Sequence, residues 1–163
     1  MKTQRNKGMT LVEMLVGMAI FSVTLSALVI AANLYISNAG ESLKSAKAAY
    51  LAEEGIEAVE TIRDNGWSEI SALSTSTSYY LSWSIASSTS GVWGTTTAAT
   101  STDGFARTFR LGAVNRDSTG HIVTIGGTAD ANTRLVTVSV AWLAKTGTTT
   151  KSLSAYITNV FGN

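Results

Sequence analysis

The sequence predicts an α+β protein, with a long N-terminal helix packed on a C-terminal antiparallel β-sheet. Three observations support this fold class. Residues 14–32 contain no charged side chain, residues 33–62 are rich in helix-forming residues without proline, and the later segments alternate apolar and polar residues. Helical periodicity therefore comes first along the chain and strand periodicity last, which is typical of an α+β arrangement.

Composition and charge exclude several classes of function. The 163 residues suit one domain of ordinary size beyond the N-terminal helix. Residues 1–8 contain three basic residues, Lys2, Arg5 and Lys7, and no acidic one. The chain after Gly8 therefore has nine of the 12 basic residues and all 11 acidic ones, a net charge of −2. This balance gives no clear nucleic-acid site. No cysteine is present, so a disulfide framework is excluded.

The N-terminal apolar stretch is long enough to cross a membrane. As a helix, about 19 uncharged residues span about 28 Å, close to the hydrocarbon thickness of a bilayer. Glu13 stands at the head of this stretch. A carboxylate in a membrane-spanning helix costs about 2.5–3.5 kcal/mol at mid-depth and less near the interface, so Glu13 is expected to have a partner.

A basic leader ending in Gly8, then Met9 to Glu13 and an apolar helix, resembles the class III signal of type IV pilins and pseudopilins. The resemblance implies that a membrane prepilin peptidase cuts between Gly8 and Met9, and that the new amine of Met9 is methylated. It also implies that Glu13 pairs with that amine in the same or a neighbouring subunit. Two departures are visible: Met9 replaces the commoner phenylalanine, and the helix lacks a proline found in many major pilins.

A conventional secretory signal is the competing interpretation of the N-terminus. Ser37, Asn38 and Ala39 before Gly40 form a small-x-small cleavage site. Glu13 within the apolar region and the length of that region both argue against it. The resemblance favours a leader at 1–8, a transmembrane and assembly half of the helix at 9–36, an amphipathic half at 37–66 and a globular β domain at 67–163.

The second half of the helix shows a regular apolar stripe. Its members recur at helical spacing: Ala52, Gly55, Ile56, Val59 and Ile62. Glu53, Glu57 and Glu60 lie on another face, which we interpret as solvated, with contact between subunits in a helical stack as the alternative. Asn65 with Gly66 predicts the helix end.

Alternation predicts strands at 79–86, 105–114, 121–125, 134–143 and 149–161, the second and third forming a hairpin. The segments 67–78, 87–102 and 126–132 are predicted connectors, the middle one with room for a short strand at its tryptophan. We expect Trp83 and Trp142 in the core. Tyr79, Tyr80 and Trp93 are candidates for an exposed binding patch.

Residues suited to catalysis or metal binding are scarce. One histidine, His121, and no cysteine form neither a zinc site nor a Cys/His nucleophilic pair, and Gly126-Gly127 lacks the Lys-Ser/Thr of a phosphate loop. Asp117, Asp130 and Asn132 fit turn formation better than a calcium loop. We therefore expect no enzymatic activity, cofactor or metal.

The resemblance predicts a minor pilin or minor pseudopilin of a type IV pilus or type II secretion system. The absent disulfide and the C-terminal hairpin favour the minor type. Its implied partners are prepilin peptidase, other subunits, a membrane assembly platform and, before assembly, the lipid bilayer. The expected location is the cytoplasmic membrane, with the C-terminal domain outside the cytoplasm, and then the filament. The alternatives are a pilus-tip adhesin or DNA-uptake subunit, or an unrelated signal-anchored or secreted β domain.

Overall fold

The computed structural model describes residues 10–87 and 90–162, so Gly8 and Met9 lie outside the described residues. The described residues up to Ser42 and those from Leu43 onward form two compact units, and each is treated by itself. Helix α1, Leu11–Asn65, runs through both units. Its end agrees with the prediction, since the Gly66 N–H donates to the Arg63 carbonyl (3.1 Å) as the helix closes.

In the first unit, α1 is long and apolar enough to cross a membrane. Its apolar side chains are exposed from Leu11 to Ile36, because no other element of this unit covers them in the described part of the chain. Three serine and threonine side chains lie in the stretch, and each hydroxyl donates to a carbonyl of its own helix: Ser22 to Met18, Thr24 to Phe21 and Ser26 to Ser22 (2.8 Å each). A helix that satisfies its own polar groups in this way suits a lipid environment.

The second unit contains the end of α1, a short helix and an antiparallel sheet. The elements after α1 are α2 Trp67–Ser71, β1 Ser78–Ser87, β2 Ser90–Thr96, β3 Phe105–Arg116, β4 Ile122–Val123, β5 Thr128–Ala144 and β6 Gly147–Thr158. The sheet order is β2-β1-β3-β5-β6, and β4 pairs with β3. Every pairing is antiparallel, which confirms the predicted α+β class and its C-terminal hairpin.

The core lies between the apolar stripe of α1 and the middle strands. The predicted stripe is confirmed, and Ala48 and Ala58 extend it. Phe109 of β3 and Val136, Val138 and Val140 of β5 are fully buried against it. Small side chains on the helix let the two surfaces approach closely, because little volume separates the helix backbone from the strands.

Gly55 marks the closest approach of helix and sheet. A β-carbon added there would lie 2.7 Å from Val138 Cγ1 and 3.2 Å from Arg107 Cδ. This glycine weakens the helix in isolation by about 1 kcal/mol relative to alanine. In the folded domain it is the residue that fits between the helix and the side chains of β3 and β5.

Three predicted connectors contain regular structure. In 67–78, Trp67 and Ile70 are buried on one side of α2, because residues three apart share a helix face. In 126–132, β5 already begins at Thr128, which pairs with Arg116 at the end of an extended β3. In 87–102, β2 confirms the short strand at Trp93, which is paired with Trp83.

Two predicted strands are shorter than expected. The predicted strand 121–125 reduces to β4, a two-residue partner of the end of β3. The predicted strand 149–161 ends at Thr158, and Phe161 beyond it is exposed.

The predicted roles of the aromatic residues are partly wrong. Trp142 is in the core as expected, but Trp83 is 55% exposed because β1 and β2 continue past the covered part of the sheet. Tyr79 and Tyr80 are half-buried, and the Tyr79 ring packs 5.6 Å from that of Phe109. Trp93 is also half-buried.

Candidate functional site

The first turn of α1 joins Thr10 to Glu13 by three hydrogen bonds. The Glu13 carboxylate oxygen Oε2 accepts from the Thr10 backbone N–H (2.7 Å) and from the Thr10 hydroxyl (2.9 Å). The Glu13 backbone N–H donates to Thr10 Oγ1 (3.3 Å). The Thr10 carbonyl accepts from the N–H of Met14 (3.2 Å), which makes Thr10 the residue that caps the helix.

This arrangement is a capping box. The reciprocal bonds satisfy backbone donors that the first turn of any helix leaves without an intrahelical partner. A carboxylate is also electrostatically favourable here, because the helix dipole places partial positive charge at the N-terminus. Glu13 thus has a local partner in Thr10, which helps to explain a carboxylate at the head of an apolar helix.

The Glu13 carboxylate is bonded to Thr10, the second residue after the junction predicted from the sequence. The backbone nitrogen that donates to Glu13 belongs to Thr10, the residue after Met9. A new amine at Met9 would therefore arise one residue before the backbone nitrogen that is bonded to Glu13. The bonds to Thr10 thus connect a negative group to the second residue of the chain that this cleavage would produce.

The helix face around Glu13 has room for a neighbour. Gly17 has no atom within 4 Å of a β-carbon placed there, and Met14 and Met18 beside it are exposed. Small residues in apolar helices allow other helices to approach closely. This face suits contact with lipid or with the helix of another subunit.

The structure describes one of the three predicted site residues. Glu13 is described and has the bonds given above, whereas Gly8 and Met9 lie outside the described residues. Thr10, the partner of Glu13 in this turn, was not among the residues predicted from the sequence. Its signal is present as Thr-x-x-Glu before an apolar run, the pattern of a capping box.

The aspartates considered as calcium ligands accept hydrogen bonds from other residues of the protein. Asp117 accepts from the hydroxyl of Thr119 (2.7 Å) and from the N–H of His121 (2.9 Å). These hydrogen bonds, that of Thr119 foremost, hold the pKa of Asp117 below its usual value. His121 is exposed in the same turn, with Nδ1 2.7 Å from the Thr119 hydroxyl. Hydrogen bonds within one turn explain this cluster.

Asp130 has a different structural role, on β5. Its carboxylate accepts from the Thr133 hydroxyl and from Arg116 Nε, both at 2.6 Å. The Thr133 bond and then the Arg116 bond lower the pKa of Asp130 to about 2. Arg116 also donates to Thr133 (3.1 Å), so the three side chains form a closed network that connects the ends of β3 and β5.

Comparison with known proteins identifies the N-terminal segment. Residues 3–29 match the family model of the prokaryotic N-terminal methylation motif, and this matched range contains Thr10 and Glu13. Neither the curated proteins nor the solved structures give a match. The N-terminal segment of this chain is therefore a class III prepilin signal, matching that of a type IV pilin or pseudopilin.

Proposed function

We propose that the chain is a minor pilin or minor pseudopilin, cleaved after Gly8, methylated at Met9 and assembled through α1 into a type IV pilus or a type II secretion pseudopilus. The observation that carries the proposal is the methylation motif at 3–29, with Glu13 fixed at the first turn of an exposed apolar helix. An exposed helix with apolar side chains on all sides is unfavourable in water. A subunit that passes from lipid into a helical bundle covers those side chains in both environments.

Before assembly, the apolar half of α1 is held in the cytoplasmic membrane. Lys2, Arg5 and Lys7 keep the leader on the cytoplasmic side, with the C-terminal domain outside. The hydroxyls of Ser22, Thr24 and Ser26 are satisfied within the helix, so the lipid stage leaves none of these three unpaired. Cleavage by the peptidase removes three positive charges that would resist extraction from the membrane.

In the filament, the exposed apolar side chains of α1 pack against other subunits in place of lipid. The Glu13 carboxylate then pairs with the methylated amine of Met9 in its own or a neighbouring chain. A buried carboxylate is costly alone and tolerable when paired, so this contact favours correctly cleaved subunits in correct register. Uncleaved subunits lack the amine and are disfavoured.

The second unit provides the part of the subunit outside the membrane. We assign it a structural and interaction role without catalysis. The minor assignment is supported by the absence of cysteine and by the hairpin of β5 and β6 at the end of the chain. In a filament fraction, this predicts far fewer copies of this chain than of the main subunit.

A charge-neutral variant tests the pairing step. Glu13→Gln keeps a side-chain carbonyl for the capping box, which glutamine also forms, but removes the charge that attracts the amine. Tagged variants would be expressed with prepilin peptidase and the assembly machine, and their amounts compared in membranes and sheared filaments. We expect normal cleavage and an approximately tenfold loss from filaments, equivalent to about 1.4 kcal/mol.

Glu57→Gln provides the matched control, because Glu57 is an exposed acid on the second half of the same helix. It should enter filaments like the unchanged chain. Equal incorporation of Glu13→Gln and Glu57→Gln would refute the pairing of Glu13 with the amine.

A further inference from the structure

A cleft of about 470 Å³ lies within the second unit, between α1 and the outer hairpin of β1 and β2. Its volume falls within the roughly 300–1,000 Å³ typical of small-molecule sites. The lining is mixed. It includes two indole rings, an ion pair and two threonines: Trp83, Trp93, Glu54, Arg107, Thr100 and Thr102.

The two indoles form a fixed aromatic wall. Trp83 and Trp93 face each other across β1 and β2, with ring centroids 5.0 Å apart and planes at 65°. Trp83 also lies over Gly91, where a β-carbon would overlap its ring. Because Gly91 has no side chain, the Trp83 ring can pack directly on its backbone. Trp83 nevertheless remains 55% exposed.

The ion pair forms a fixed polar wall. Arg107 Nη1 lies 3.0 Å from Glu54 Oε2 and donates to the Leu51 carbonyl (3.2 Å). The same guanidinium lies over the Trp93 ring, with Cζ 5.3 Å from the centroid. The Arg107 side chain is only 16% exposed, whereas that of Glu54 is 47% exposed and accessible to a ligand. Fixed donors and acceptors of this kind reduce the entropy cost of binding.

We propose that this cleft binds a neutral saccharide. The weakly positive C–H groups of a sugar ring pack favourably on an indole, and the Trp83 side chain in this cleft is more than half exposed. Sugar hydroxyls donate to the Glu54 carboxylate and exchange hydrogen bonds with the hydroxyls of Thr100 and Thr102. This proposal concerns the second unit only and is independent of how the chain is assembled.

Local charge disfavours an anionic ligand. Arg107 is neutralised by Glu54, so the wall provides no surplus positive charge for a phosphate backbone or a carboxylate. An aromatic platform for single-stranded nucleic acid would need a basic groove beside it.

The polar wall disfavours an apolar peptide or helix. Such a ligand would remove water from Glu54 and the two threonines without replacing their hydrogen bonds, which weakens its binding. A ligand with hydroxyl groups replaces those bonds while it covers the indoles.

Titration of the full chain with disaccharides tests the proposal. The chain would be held in a detergent without a sugar headgroup and titrated with cellobiose, lactose, mannobiose and chitobiose. Indole N–H resonances report on the four tryptophans separately. At least one disaccharide should shift the signals of Trp83 and Trp93 saturably, while that of the core residue Trp142 stays unchanged.

Substitutions locate the site. Trp83→Ala and Glu54→Ala should each weaken binding by about tenfold or more, and Tyr156→Ala, with a similarly exposed aromatic ring on β6, should leave it unchanged. Glu54→Ala keeps the test valid if Trp83→Ala disturbs the hairpin. The proposal is overturned if no disaccharide gives a saturable shift, or if both cleft variants bind the sugar normally. Octanoate serves as a probe with an apolar chain, and the proposal is also overturned if octanoate binds and no sugar does.

Discussion

Glu13 accepts two hydrogen bonds from Thr10, one from its backbone N–H and one from its hydroxyl. The resemblance implies that this carboxylate pairs with a new N-terminal amine at Met9. The same carboxylate therefore also closes the first turn of the helix. One side chain connects the local structure of α1 with the proposed assembly step, and substitutions can separate the two roles.

Thr10→Ala should loosen the first turn of α1 and leave the charge of Glu13 in place. Loss of an N-cap side chain costs about 1 kcal/mol, so the backbone amides of Glu13 and Met14, which donate to Thr10, should exchange with deuterium about fivefold faster in detergent micelles. Thr10→Ser keeps the hydroxyl and serves as control. Unchanged exchange in Thr10→Ala would mean that the capping box does not stabilise the helix.

Gly55→Ala should destabilise the second unit despite the better helix propensity of alanine. The added β-carbon meets Val138 Cγ1 at 2.7 Å, and overpacking of this kind costs about 1–3 kcal/mol, against a gain of about 1 kcal/mol in helix propensity. Urea denaturation of the full chain would measure the difference. Gly40→Ala, where no atom lies within 4 Å of the added carbon, should be neutral or stabilising.

Asp130→Asn should lower stability at neutral pH and remove part of the acid sensitivity. Hydrogen bonds from Thr133 and Arg116 hold the pKa of Asp130 near 2, below its unfolded value of 3.8. The folded state therefore gains stability above about pH 4, and loses it as the pH falls through about 2.

We expect Asp130→Asn to lose up to about 2 kcal/mol at pH 7, and much less at pH 2. Urea denaturation at both pH values measures the change. Asp103→Asn removes an exposed ion pair with Lys47 and should have little effect. An equal loss for Asp130→Asn at both pH values would contradict the role assigned to its charge.

Trp142 and Trp83 should differ sharply in their effect on stability. Trp142 is buried beside Phe105, so Trp142→Ala should cost about 3–5 kcal/mol, whereas the exposed Trp83→Ala should cost about 1 kcal/mol or less. Within the described part of the chain, the buried Nε1 of Trp142 has no hydrogen-bond partner, so Trp142→Phe should be much milder than Trp142→Ala. Similar losses for Trp83→Ala and Trp142→Ala would show that the outer hairpin belongs to the core.

The helix and the central strands were predictable because their patterns are local. The stripe from Ala52 to Ile62 repeats at helical spacing, and the alternation around Val138 repeats at strand spacing, so one segment alone indicates each element. Glu13 was singled out for the same reason, because a single carboxylate at the edge of an uncharged stretch is visible without any fold. Thr10 has an equally local signal, because Thr-x-x-Glu before an apolar run is the pattern of a capping box.

The features that the sequence analysis missed depend on pairing between distant segments. Trp83 alternates like a core residue, yet its exposure is decided by how far α1 covers the sheet. The early start of β5 at Thr128 follows from its pairing with Arg116 of β3. The cleft needs Glu54, Arg107 and Trp93 brought together from three elements, and no spacing along the chain indicates this.

Intact mass spectrometry of the chain after co-expression with prepilin peptidase tests the central claim most directly. The account predicts a product that begins at Met9 and carries one added methyl group, while Gly8→Val, which obstructs the cleavage position, retains residues 1–8. A product of the unchanged chain that begins at Gly40, or one that keeps its leader in the presence of active peptidase, would contradict the account.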